Sequence, residues 1–289
     1  LDEVDVNAKK AARGQQGTNA PVSLSDRSQA WYTNAREKDW YILRELVSKD
    51  FKLKYRRSAL GVAWSVLNPL LMMIVMSAVF SSFMRFNDPS LGNFPCYLIL
   101  GNTAFQLMAD ATSTGMGSII GASALLKKVK INRYVFPVEK VLFAGVNYGF
   151  SLIAVALVMV FFRVPVTPLI LLLPVAVFLL LVFCVGLSLL LSAASVFFRD
   201  VIHLWSVVIT AWTYATPIFY SANILPGWMA TFEKFNPMYL YITFIREVTM
   251  WSTMPSPKLI LACCGFAFGA LLVGWLVFRK NEHKFILFI

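Results

Sequence analysis

Acids and histidines are scarce in this sequence, with 15 Asp and Glu and two His among 289 residues. Hydrolysis, group transfer and metal-assisted reactions need carboxylates, imidazoles or thiolates gathered in one pocket. Within and beside the apolar runs stand only Asp110, Glu139, Asp200 and His203, widely separated in sequence, and the second histidine is His283. A membrane-embedded enzyme such as a lipid-linked sugar transferase would cluster such groups at one leaflet, and that reading is disfavoured. The four cysteines, Cys96, Cys184, Cys263 and Cys264, form no CxxC pair, and three lie inside apolar runs. They read as buried packing thiols, with neither a disulfide framework nor a metal site expected. No GxxxxGK[ST] is present, so nucleotide binding through a P-loop is not expected and ATP-driven work would fall to a partner. No convincing repeat relates residues 58–137 to 138–219, which argues against an ion-coupled secondary transporter.

Charge as a whole is also thin. Only 14% of residues are charged, where soluble domains carry about a quarter, while 58% are hydrophobic. A soluble protein of this size could not hide that much apolar surface, so an all-α integral membrane protein is the expected class. The net charge of +11 does not point to nucleic acid. Twelve of the 26 Lys and Arg lie in residues 1–57 beside eight of the acids. No basic face interleaved with stacking aromatics follows.

A bilayer core of about 30 Å takes roughly 20 apolar residues as helix. Charge-free intervals then predict six spans, at about 60–84, 96–121, 138–162, 169–197, 201–219 and 258–278, within a transmembrane region 58–278. Residues 220–257 are aromatic-rich but broken by Pro226, Gly227 and Asn236–Pro237. Each piece is too short to cross, and irregular backbone is excluded from lipid unless protein shields it. Two short helices on one side of the membrane are expected, re-entrant or lying at the interface. The distribution of Lys and Arg over short loops favours cytoplasmic N- and C-termini, with residues 279–289 as a cytoplasmic tail.

Residues 39–57 precede the first span. Trp40, Leu43, Val47 and Phe51 recur at helical spacing among Arg44, Lys49, Lys52 and Lys54. That pattern predicts an amphipathic helix on the inner leaflet, or a solvated cytoplasmic one. Residues 1–38 are polar and are expected to be a flexible cytoplasmic segment. Asp110 is the one acid well inside a predicted span. It is read either as a structural or lumen-facing group in the polar stretch "MADATSTGMGSIIG", or as a proton carrier. Gly117–Gly121 and Gly265–Gly269 match GxxxG, a spacing that permits close helix approach.

The stretch "LLKKVKINRYVFP", residues 125–137, carries Lys127, Lys128, Lys130 and Arg133 between two apolar runs. A topology signal needs only the positive charge. The interleaved Val129, Ile131, Tyr134 and Phe136 suit a knob seated in a partner's groove, so both roles are expected.

These features come in an order that resembles the permease subunit of a type-2 ABC exporter, over about residues 38–285. "LGVAWSVLNPL" at 60–70 and "FFRD" at 197–200 carry the resemblance together, with "ATPIFYS" and "NPMY" following. The likeness is greatest to the branch that exports lipid-linked polysaccharides such as O-antigens and teichoic acids. An exporter of a small molecule, drug or lipid is the alternative. The resemblance implies a homodimer of six-span subunits in the bacterial plasma membrane, with two P-loop ATPase subunits carrying ATP and Mg. It also implies a coupling helix at residues 127–136 and a smaller ATPase contact at Phe198, Arg199 and Asp200. A gate helix within 39–57 and outward re-entrant helices within 220–257 would follow. Sugar rings have apolar faces that stack on aromatics. Trp64, Phe80, Phe83, Phe105, Trp212, Tyr214, Phe219 and Tyr220 fall in spans one, two and five and, with Asp110, are candidates for a channel that the resemblance implies is lined by spans one and five. Lipid-facing or core packing is the alternative for each.

Overall fold

The computed structural model describes residues 35–56, 60–87, 92–129 and 131–288. All regular structure among them is helical. Residues 1–34, the bulk of the segment expected to be flexible, lie outside the described set, as do Lys130 and the side chain of Phe83. The chain divides into a unit of residues 1–42 and one of 43–289. Helix α1 is Ala35–Tyr55. There follow α2 (Ala63–Asn87), α3 (Phe94–Met116), α4 (Val135–Phe161), α5 (Leu173–Phe197), α6 (Val201–Ala215), α7 (Gly227–Glu233), α8 (Pro237–Arg246) and α9 (Pro257–Asn281).

Among the described residues four stretches are long and apolar enough to cross a membrane: Ala63–Phe80, Val135–Phe161, Pro168–Phe197 and Pro257–Lys284. Helix α3 has 23 residues, so at 1.5 Å per residue it is about 34 Å long. Asn102, Gln106, Asp110 and a run of Thr and Ser make it more polar than those four. Helix α6 has 15 residues, about 22 Å, short of a bilayer core. The apolar run expected to cross over 201–219 therefore stops being helix at Ala215. Thr216 is extended (φ −85°, ψ 132°) because the following Pro217 disfavours the helical region for the residue before it.

Helix α3 is the centre of the bundle. It packs on α2, α4, α5, α6 and α8, and Leu100, Ala104, Leu107, Met108 and Ala111 are buried. The closest crossing is between α5 and α9. A Cβ on Gly274 would fall 2.1 Å from the Gly186 carbonyl oxygen, and one on Gly186 would fall 2.3 Å from the Ala270 carbonyl carbon. The two backbones touch only because both positions lack a side chain. The GxxxG pairs play no such part among the described residues: a Cβ at Gly117, Gly121, Gly265 or Gly269 meets nothing within 4 Å. Spacing permits a close approach, but which face the neighbour occupies decides where it happens.

The end of the bundle that carries α1 has its own apolar cluster. Ile119, Phe136, Leu189, Ala193, Val196, Phe278 and Phe285 are buried there, with Leu46, Leu126, Ile131 and Tyr134 packed on them. At the opposite end, α6 gives way to residues 216–221, whose backbone is irregular but whose first four residues are buried.

Candidate functional site

Helices α2, α3 and α4 and the end of α1 enclose a cavity of about 380 Å³. Helical spacing builds its polar wall: Asn102, Gln106 and Asp110 are four residues apart on α3, and Asn147 and Ser151 are four apart on α4. Gln106 Nε2 donates to Asp110 Oδ1 at 2.8 Å. The Tyr55 hydroxyl donates to Asn147 Oδ1 at 2.7 Å and also pairs with the Ser65 hydroxyl. Lys54, Trp64 and Asn68 complete the side facing α1 and α2. Tyr148 is 3% exposed. Its hydroxyl lies beside Thr103 but meets no partner at hydrogen-bonding geometry.

Of the residues singled out for a channel, the structure brings Trp64 and Asp110 together in this cavity. The other aromatics with described side chains lie elsewhere. Phe80 stacks on Phe219 with ring centroids 5.9 Å apart. Phe105 meets Trp212 edge-on at 6.4 Å, and Trp212 meets Trp205 at the same distance. Phe105 and Phe219 are core residues, Trp212 is half-buried, and Tyr214 is exposed on α6. The Tyr220 hydroxyl donates to the Tyr214 and Ala215 carbonyls, closing the end of α6.

Two polar residues, one buried and one half-buried, hold the irregular segment 216–221 in place. Arg246 is 1% exposed. Its Nη1 donates to the Pro217 carbonyl at 3.1 Å, and Nη2 to the carbonyls of Tyr97 at 3.0 Å and Ile218 at 3.4 Å. The guanidinium lies over the Tyr97 ring, 3.3 Å from its centroid, and the Tyr97 hydroxyl donates to Pro217 and Tyr220 carbonyls. Non-helical backbone inside an apolar protein needs such donors, because no water is there to supply them. Gly101 gives the guanidinium room, since a Cβ there would lie 2.4 Å from Nη2. Asn236 is the second fastener. As N-cap of α8 its Oδ1 accepts from Met238 and Tyr239 N–H groups and from Trp212 Nε1 at 2.8 Å. Its Nδ2 donates to Thr216 Oγ1 and Glu233 Oε2, both at 3.0 Å. Sequence reading counts Arg246 among loop cations and Asn236 as a helix breaker. The Asn–Pro pair does signal a cap with Pro at the first helical position, while nothing local announces the buried guanidinium.

The structure divides the residues expected to meet an ATPase. Ile131, Tyr134 and Phe136 face the cluster at the α1 end, with Tyr134 edge-on to Trp275 at 5.5 Å. Arg133 donates to the Glu282 carbonyl just beyond α9. Lys127, Lys128 and Val129 are exposed, and so are Phe198, Arg199 and Asp200 in the turn between α5 and α6. The segment is thus pinned to the bundle by its second half and presents its first half.

In α1, Trp40 is exposed while Leu43, Val47 and Phe51 are half-buried. Phe51 packs on Phe150 of α4 at 5.8 Å. Lys140 pairs with Asp50 of α1 and, at 3.2 Å, with its neighbour Glu139, whose Oε1 is buried without a partner. The latter half of α1 therefore lies along the first half of α4. Among the described residues no group of His, Cys, Asp and Glu is placed to hold a metal ion.

A model of the ABC-2 type transporter family matches residues 41–250. The O-antigen export system permease protein RfbA of Klebsiella pneumoniae is 27% identical over 246 residues, covering 84% of this chain and 93% of the relative. A protein of the same name from Myxococcus xanthus is 29% identical over 247 residues, with 84% and 94% covered. The capsule polysaccharide export inner-membrane protein CtrC of Neisseria meningitidis is 24% identical over 200 residues, with 68% and 74% covered. The family match runs from α1 through the turn that follows α8, and the chain belongs to the ABC-2 type transporter family, as a membrane transport subunit rather than a catalytic P-loop protein.

Proposed function

We propose that this chain is the transmembrane subunit of an ATP-driven exporter that moves a lipid-linked polysaccharide or cell-wall glycan across the bacterial plasma membrane. The observation that carries the reading is the polar stripe of α3. Gln106, Asp110, Ser113 and Thr114 are exposed on a helix otherwise packed on all sides. On the neighbouring helices, α2 is almost wholly unburied over Ala63–Phe80 and α6 has no buried residue. A stripe of amides, hydroxyls and a carboxylate facing lipid is unfavourable. A second copy that covers α2 and α6 turns the same stripe into the wall of a wet path. Its hydroxyl and amide lining suits sugars, and the names of the similar permeases, O-antigen and capsule polysaccharide export, point the same way.

In this reading the subunit spans six times, through α2, α3, α4, α5, α6 with residues 216–221, and α9. Both termini are cytoplasmic, and α7 and α8 dip in from the outer side. Two ATPase subunits, which bind ATP and Mg, meet Lys127, Lys128 and Val129 as the main contact and Phe198 to Asp200 as the smaller one. Their closure on ATP moves segment 125–137. Because Phe136 and Arg133 join that segment to α4 and to the residues after α9, the motion is passed to the bundle as a rigid shift. The latter half of α1, fastened to α4 through Lys140, acts as the gate beside the loading end. Deletion of the gene should leave polymer inside the cell, and complementation should return it to the surface, read by antiserum or lectin labelling. Unchanged surface polymer in the deletion strain would remove glycan as the substrate. Lys127→Glu with Lys128→Glu should abolish co-purification of the ATPase and export while leaving the permease folded.

A further inference from the structure

We propose that the cavity between α1, α2, α3 and α4 is a subsite for a single neutral sugar ring, one in each subunit. The proposal rests on the glycan-export reading and adds a place and a ligand chemistry to it. At about 380 Å³ the space falls within the range of about 300–1,000 Å³ in which small ligands are held. The lining selects the kind of ligand. Asn68, Asn102, Gln106 and Asn147 each offer a donor and an acceptor, which is what hydroxyls, donors and acceptors at once, require. Trp64 keeps 46% of its surface exposed at the cavity edge and can carry the apolar face of a pyranose.

Charge argues against an anion. Among the described lining residues Lys54 is the one cation, and Asp110 opposes it with one negative charge. Phosphate sites gather Lys, Arg and helix N-termini and avoid carboxylates. Asn102, Gln106 and Asp110 line the space from one face of α3 and Asn147 from α4, so a ring held there meets polar groups from two sides.

The position gives the subsite a task. Lys54 and Tyr55 belong to α1, which Lys140 of α4 holds at Asp50. A ring bound here touches α1, α2, α3 and α4 together, so its arrival is felt by the helix proposed as the gate. The subsite is thus a reader of the first sugar to enter rather than a stretch of uniform channel.

The test uses the full-length permease with its ATPase partner in lipid nanodiscs. Saturation-transfer NMR is recorded with a panel of neutral hexoses, 6-deoxyhexoses and N-acetylhexosamines, and with inorganic phosphate as competitor. At least one neutral sugar should bind saturably and resist phosphate. Asn102→Leu should weaken that binding about tenfold, the value of one hydrogen bond, while the melting temperature stays level. Gln106→Leu should weaken it as well, and Gly269→Ala, which faces open space, should not. Absence of saturable binding by the whole panel overturns the subsite, as does displacement by phosphate or equal binding by Asn102→Leu and Gln106→Leu. In the same strains surface polymer is measured. Loss on deletion of the chain with no change in binding by either variant sinks the subsite and leaves the export reading intact. Polymer that persists after deletion sinks the export reading itself.

Discussion

Replacing Asn236 with Ala removes five hydrogen bonds at once, and their separate weights can be assigned. The cap on the Met238 and Tyr239 amides, at 3.1 and 3.4 Å, is worth about 1 kcal/mol. The Trp212 N–H, bound at 2.8 Å and half-buried, is left without its acceptor, which costs about 1–3 kcal/mol. The alanine variant should therefore lose about 2–4 kcal/mol. Asn236→Asp separates these contributions. The carboxylate keeps both acceptor roles but replaces the amide donor to Glu233 with a like charge. The Glu233 carboxyl already sits above the ordinary carboxylate range, chiefly through burial, and the Asn236 hydrogen bond pulls it back. A carboxyl raised on folding binds its proton more tightly in the folded state. Its contribution is fully present below the unfolded value and is lost as pH rises through the folded one. With Asp beside it the rise is larger, so the loss deepens and extends to higher pH. Thermal melts in detergent, followed by tryptophan fluorescence, read the result at about 2–4 °C per kcal/mol for a chain of this size. The Asp variant should melt well below wild type at neutral pH and approach it on acidification, as the carboxyls take up protons. The alanine deficit should ease by less over that range, since it loses the bond that lowers Glu233 but adds no second charge. An alanine variant as stable as wild type, or an Asp variant without the acid recovery, would refute the hub.

Gly274→Leu must push α9 away from α5, because the Gly186 oxygen already occupies the Cβ position. Folded, monodisperse protein on size-exclusion chromatography should be lost, whereas Gly265→Ala and Gly269→Ala should behave as wild type. Lys140→Met leaves Asp50 and the buried Glu139 unneutralised. The cost should be about 1–3 kcal/mol, less than for a fully buried pair, since Lys140 and Asp50 keep 26% and 22% of their side-chain exposure. Asp50→Lys with Lys140→Asp should recover part of it in the same melt. Arg246→Lys should be nearly as damaging to export and stability as Arg246→Met, because an ammonium cannot reach three carbonyls held in a fork around a planar guanidinium. Full function in the lysine variant would contradict that assignment.

Much of this architecture is legible in the sequence because membranes make the rules few. Long charge-free runs can only be buried in lipid or protein, and Pro226 and Asn236–Pro237 mark where short helices begin, whereas the expected 201–219 span reads through Pro217, which ends α6. The polar stripe is also legible: Asn102, Gln106 and Asp110 recur every four residues in an otherwise apolar stretch, a pattern that sequence reading reduces to Asp110 alone if it follows charge and ignores amides. Other features depend on which distant residues come to face one another. The Gly186–Gly274 crossing joins positions 88 apart, and no local pattern separates those glycines from the GxxxG pairs that face open space. Arg246 looks like a loop cation until Tyr97 and Gly101 of α3 are placed beneath it. The apolar half of "LLKKVKINRYVFP" likewise reads as a partner-facing knob, yet Ile131, Tyr134 and Phe136 are used to fasten the segment to its own bundle.

How the polar groups are spent separates structural from functional ones. At the end carrying α7 and α8, Arg246 and Asn236 direct their donors at carbonyls, hydroxyls and carboxylates of this same chain, and the irregular segment between α6 and α7 exists because of them. Those bonds hold shape, although Arg246 Nε itself is buried without a partner. At the end carrying α1, polar side chains of α3 and α4 instead line open space, where Asp110 accepts from Gln106 one turn away. A chain under pressure to satisfy every buried polar group leaves such a set unspent where a solute completes it. In the proposed reading recognition therefore falls at the α1 end, and the α7–α8 end sets the shape of the exit.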